Sequence, residues 1–148
     1  SELKKLNLPK EYIAIHTRFT SLLGDFSDTS IRSVSEKRKV EMLNLLKGHI
    51  KQINTNLSEI VFSDSILFLN YIKENTNSIV LEGNPSHIDV KNSGSDDDNL
   101  KTFVDFFVIS EAKRIYLLRT EEMYNSAFSK YASFINNKEF FNICIDEN

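Results

Sequence analysis

The chain has 148 residues, 41% of them hydrophobic and 26% charged, with a formal net charge of −3. That length suits one domain with one core, and the composition excludes a disordered or low-complexity protein. The acidic balance gives no general attraction to phosphate backbones or anionic lipid, so any such contact needs a local basic patch.

In chain order, Leu8, Tyr12, Ile15, Phe19 and Leu22 recur at three-and-four spacing and predict a first helix, with Pro9 in its first turn and Gly24 as its stop. A polar turn through Asp25, Ser27, Asp28 and Ser30 follows. Ser33-Val34-Ser35-Glu36 reads as a capping box opening a long second helix through Leu43, Leu46, Ile50, Ile53 and Leu57. Gly48 weakens its middle by about 1 kcal/mol against Ala. The pattern breaks at Asn54-Thr55-Asn56, where Asn56 and Glu59 cap a short third helix.

Ser63-Asp64-Ser65 is a turn signal, and Ile66 to Ile72 reads as a buried helix or a strand, with strand preferred. Ile79-Val80-Leu81 and Ile88-Asp89-Val90 flank Gly83-Asn84-Pro85 as two short strands around a turn. The acidic segment Lys91 to Asn99 has no apolar anchor and is expected to be mobile. Phe103 to Ile109 is β-branched and aromatic, of strand length. Ser110-Glu111 opens a closing helix carrying Ala112, Tyr116, Met123, Ala127, Tyr131 and Phe134, and Glu139 to Ile145 begins a further element. The sum is an α+β, winged-helix-like single domain over residues 1–148: a three-helix core, a small antiparallel sheet and a long C-terminal helix. An all-helical bundle is its rival if Ile66 to Ile72 is helical.

Leu8-Pro9-Lys10-Glu11-Tyr12 followed by Phe19 resembles the Leu-Pro-x-x-Tyr-(x6)-Phe opening of the central winged-helix domain of the eukaryotic replication licensing factor family. Asn56 to Ile60, Phe103 to Ile109 and Glu111 to Phe134 are similar in order to that family's short third helix, strand and long closing helix. The resemblance spans about Leu8 to Phe134. It implies an architectural role without catalysis, holding the MCM helicase for loading at origins in the nucleus, under regulation by geminin in animal members. The loop from Asn92 to Asn99 is more acidic than that family leads one to expect.

The residues themselves offer little catalytic chemistry. His16, His49 and His87 lie far apart, without a second His or a carboxylate at metal-ligand spacing. Ser21, His16 and Asp25 can be assembled into a triad only on paper, because no nucleophile elbow is present. The four glycines are too scattered for a phosphate-cradling loop. Asp96-Asp97-Asp98 lacks the turn glycine and distant Glu of a calcium loop, and Ser93 or Ser95 before these acids is a candidate phosphorylation site. Cys144 stands alone, outside any zinc spacing, which fits a reducing compartment. No run reaches the ~20 apolar residues of a membrane span, and the opening Ser1-Glu2-Leu3-Lys4-Lys5 reads as the start of an excised piece. No enzyme, cofactor or metal is therefore expected.

A DNA-reading helix needs Lys or Arg for phosphates, whereas Asn56 to Ser65 has neither and carries Glu59 and Asp64. Positive charge collects instead at Arg32, Lys37, Arg38 and Lys39 and at Lys113, Arg114 and Arg119, the residues expected to meet a protein partner. The expectation is a nuclear protein-interaction domain, with MCM and origin-bound loading proteins as partners, at most weak sequence-blind DNA contact, and no membrane. The alternative is the DNA-binding winged helix of a transcriptional regulator.

Overall fold

The computed structural model describes residues 6–24, 33–53, 56–82 and 96–145. Within them strands and helices alternate: β1 Tyr12–Thr17, α1 Glu36–Gln52, β2 Ser58–Ser63, α2 Ile66–Asn75, β3 Ile79–Val80, α3 Asp96–Glu111, β4 Arg114–Arg119, α4 Phe128–Ile135 and β5 Glu139–Cys144. The sheet order is β3-β2-β1-β4-β5, and every neighbouring pair is parallel. This is a doubly wound α/β sheet. It replaces the expected α+β winged helix with its antiparallel sheet and long C-terminal helix, and the replacement has a physical reason at each element.

Strand β1 lies where a first helix was expected. All six of its residues are buried, because helices cover both faces of a parallel sheet and leave its central strand apolar throughout. Ile13 and Ile15 join one core layer with Met42, Leu46 and Ile50 of α1 and Phe68, Leu69 and Ile72 of α2. Tyr12 and Ala14 join the opposite layer with Val108 and Ile109 of α3, Ala112 just after it, and Ala132 of α4. Apolar density on both sides, and not one helical face, produced the three-and-four spacing.

The expected third helix is β2, which buries Ile60, Val61 and Phe62 in succession. Ile66 to Ile72 is helical, because the Ser65 hydroxyl accepts from Phe68 N at 3.0 Å and starts α2. In α1 the cap is Ser35, accepting from Arg38 N at 3.2 Å, and not Ser33. Phe103 to Ile109 lies inside α3: Val108 and Ile109 are buried while Phe103 and Phe107 stay exposed, a helical division that overrides β propensity. The expected closing helix is divided into β4, a loop and α4, since Ile115, Leu117 and Leu118 are all buried in the sheet. Ile79-Val80 is a strand as read, and Glu139 to Ile145 supplies β5. Asp96 to Asn99, expected to be mobile, begin α3. Residues 88–95, Arg32, Ser93 and Ser95 lie outside the described residues.

The end of α3 shows how side chains complete this layer. A helix leaves its last carbonyls unpaired, and here the Tyr12 hydroxyl donates to Val108 O at 2.6 Å while Asn136 Nδ2 donates to Ser110 O at 3.0 Å. Burial, and next the charge of Glu111, push the Tyr12 hydroxyl up to about 12. The folded protein thus keeps a proton that the unfolded chain gives up from pH 10.0 upward, so this contribution is complete below that pH and is lost as pH rises toward about 12. Tyr12→Phe is expected to remove that part of the alkaline slope and to cost about 1–2 kcal/mol at neutral pH, as read from urea unfolding curves.

Candidate functional site

From β1 the chain winds through β2 to β3 on one side, then crosses back to β4 and β5 on the other. Open parallel sheets bind their ligands outside the carboxyl ends of the strands where the strand order reverses, which here is the carboxyl edge at the end of β1 and β4. Buried polar residues gather at that edge. Thr17 Oγ1 donates to Ser63 Oγ at 3.0 Å, His16 Nδ1 lies 3.0 Å from Ser129 Oγ, and the His16 ring tilts against Phe128 at 5.5 Å.

The β1 loop is held by Asp64, the first residue after β2. Its Oδ1 accepts from Phe19 N at 2.8 Å and its Oδ2 from Thr20 N at 2.9 Å. Burial pushes the Asp64 carboxyl up, while those two amides and the Arg18 charge pull it back; two aimed N–H donors and a nearby guanidinium are the surroundings of a carboxylate anion. The loop is also strained. Thr20 sits at φ 55, a left-handed conformation that β-branched residues rarely adopt, and its hydroxyl bonds Phe19 O at 2.6 Å. Such outliers cluster at ligand clamps and active sites.

Arg18 directly follows β1 at the carboxyl edge of the sheet. Its Nε is 3.9 Å from Asp64 Oδ2, too far for a hydrogen bond, and this buried atom has no acceptor among the described residues. The guanidinium carbon lies 4.9 Å from the centre of the Tyr124 ring, within cation–π range. Tyr124 N also donates to Arg18 O at 3.3 Å, joining the β1 and β4 loops, and Tyr124 is 50% exposed. The β4 loop is tied to α1 by Arg38, whose Nε and Nη2 donate to Glu122 Oε2 and Oε1 at 2.6 and 2.9 Å. Those bonds hold the Glu122 carboxyl down at about 2.

Of the expected partner-binding residues, Arg32 lies outside the described residues, Lys37, Arg38 and Lys39 follow one another on α1, and Lys113, Arg114 and Arg119 lie on or beside β4. Arg38 pairs with Glu122 and Glu41, and Lys39 Nζ with Glu36 at 2.7 Å, while Lys37 is exposed on α1. Lys113, 3.6 Å from Glu11, and Arg114 mark the amino end of β4, whereas Arg119 marks its carboxyl end and donates to Asn142 Oδ1 at 3.2 Å. The length of a six-residue strand, about 16 Å, separates the two. Arg18, Asp64 and Tyr124 carried only weak sequence signals: a cation directly after an apolar run, an acid inside a turn, and an aromatic beyond the next strand.

A hollow of about 590 Å³ lies at the opposite edge, lined by Lys51, Glu59, Glu74, Asn77 and Ser78 among others. Burial pushes the Glu59 carboxyl up there, and the Ser78 hydroxyl, donating to it at 3.0 Å, pulls it back. Among the described residues no group of three or more His, Cys, Asp or Glu could hold a metal ion, and no helix is long and apolar enough to cross a membrane.

Comparison with protein-family models, with curated proteins and with solved structures returned no match. The chain is therefore placed by its architecture alone: a doubly wound parallel α/β domain with buried polar residues at its order reversal.

Proposed function

We propose that this chain binds a phosphate-bearing small molecule of the nucleotide class at the carboxyl end of β1, with Arg18 meeting the phosphate and Tyr124 offering a stacking wall. The observation that carries this reading is Arg18 itself, a guanidinium at the order reversal with a buried Nε that lacks an acceptor among the described residues. Guanidinium matches phosphate by paired, charge-assisted hydrogen bonds. The strained β1 loop and the joined β1 and β4 loops support a site already shaped before a ligand arrives. The grip differs from a dinucleotide fingerprint. No glycine-rich turn follows β1, and the first turn of α1 carries Glu36, which disfavours an anion there.

The replication-licensing role, with MCM as partner, was drawn from a winged helix that the parallel sheet replaces. The alternative of DNA reading by a third helix loses that helix to β2.

Calorimetric titration of the chain with ADP, GDP, UDP and pyrophosphate tests the proposal. At least one is expected to bind, and Arg18→Ala is expected to weaken it about 10- to 100-fold, the loss of charged hydrogen bonds worth about 1.5–3 kcal/mol. Circular dichroism should show the variant folded. Wild-type protein that binds none of the four, or a folded Arg18→Ala that binds as well as wild type, overturns the reading.

A further inference from the structure

Helix α4 is amphipathic in the reverse sense. Toward the sheet it buries Ser129, Ala132 and Ser133, and toward solvent it presents Tyr131, Phe134 and Ile135. A surface helix ordinarily does the opposite. Its neighbour α3 exposes Leu100, Phe103 and Phe107, spaced three and four apart on one side. The two helices lie side by side and run the same way. Near the start of α4, Phe128 packs against Phe106 at 5.3 Å, and beyond its end Asn136 bonds Ser110 O. Phe107 meets Phe106 edge-on at 6.0 Å within α3, and Tyr131 lies 6.0 Å from Phe134 within α4, so the Phe106–Phe128 contact sets the two groups of exposed rings on neighbouring helices.

From this face we infer that the chain forms a symmetric dimer, with the α3/α4 layer of one copy against the same layer of a second. This goes beyond the ligand reading and does not depend on it. The area argument supports a second copy. The six side chains are between 44% and 64% exposed, which for groups of this size amounts to roughly 500 Å² of apolar surface. A standard interface covers about 800 Å² per partner, and in homodimers about 65% of it is apolar, so about 500 Å² of apolar contact is what a stable dimer needs. A patch this large is at the upper end for a monomer.

Charge does not oppose the same occupant at this face. With a net charge of −3 the chain repels its own copy over most of its surface. In a two-fold contact each residue meets its counterpart's neighbourhood, and these six residues bring no charge to that contact. Two such layers can then stack as ridged helical surfaces.

Sedimentation velocity on the full chain, from submicromolar to high micromolar concentration, tests the inference. Wild type is expected to shift from monomer to dimer across that range. The double variant Tyr131→Ser with Phe134→Ser is expected to stay monomeric throughout, with unchanged circular dichroism, because both side chains point away from the core. If that variant fails to fold, Phe103→Ser with Phe107→Ser serves the same purpose from α3. A wild-type chain monomeric at every concentration overturns the inference and leaves the face to a different partner. A dimer that survives both double substitutions also overturns it.

Discussion

Asp64→Ala is expected to destabilise the protein by about 3 kcal/mol or more, because one truncation exposes three groups at once. Phe19 N and Thr20 N lose their acceptor, and each unsatisfied buried donor costs about 1–3 kcal/mol. Arg18 loses the counter-charge beside its buried Nε. The left-handed Thr20 also loses the bond that holds it, and relaxation of its strain offsets part of the cost. Asp64→Asn, which keeps one acceptor oxygen, is expected to fall between wild type and alanine. Urea unfolding at neutral pH measures all three. An alanine variant as stable as wild type would show that the loop does not hang on this carboxylate.

The second large effect is expected at Phe68. Its side chain is fully buried and its ring lies 5.1 Å from that of Phe19, tilted by 49°. Phe68 belongs to α2 and Phe19 to the loop after β1, so the contact fixes the loop from beneath while Asp64 fixes it from the side. Phe68→Ala is expected to cost about 3–5 kcal/mol through lost burial and the cavity left behind. Phe68→Leu should cost under about 2 kcal/mol. The alanine variant should lower the urea midpoint without changing the slope, as a purely native-state loss does. Against a total stability of about 5–15 kcal/mol for an ordinary domain, either truncation is severe.

Much of the local signal was legible in the sequence, but its period was not. The start of α1 was visible in Ser33-Val34-Ser35-Glu36, and Ile79-Val80 was read as a strand. The larger errors share a cause. In a sheet covered on both faces, strands such as Tyr12–Thr17 are apolar at every position and lose the alternation that marks a half-buried strand. Helices beside exposed apolar patches lose the opposite contrast, so α3 with its Phe103, Phe106 and Phe107 imitated a strand. The resemblance to a winged-helix family rested on Leu8 to Phe19, a stretch that forms β1 and its loop. The site was hidden for a different reason. Arg18, Asp64 and Tyr124 come from three separate loops, and only the parallel order of β2, β1 and β4 brings them to one edge. No spacing along the chain records that meeting.

The filled amides after β1 have one further consequence. Since Asp64 already occupies Phe19 N and Thr20 N, a phosphate bound as proposed could not use these two amides and would depend on the Arg18 side chain. Attraction of that kind is damped by mobile ions over about 8 Å at physiological ionic strength. The proposed grip by Arg18 would therefore be adjustable by the surrounding electrolyte, in a way that a rigid backbone cradle is not.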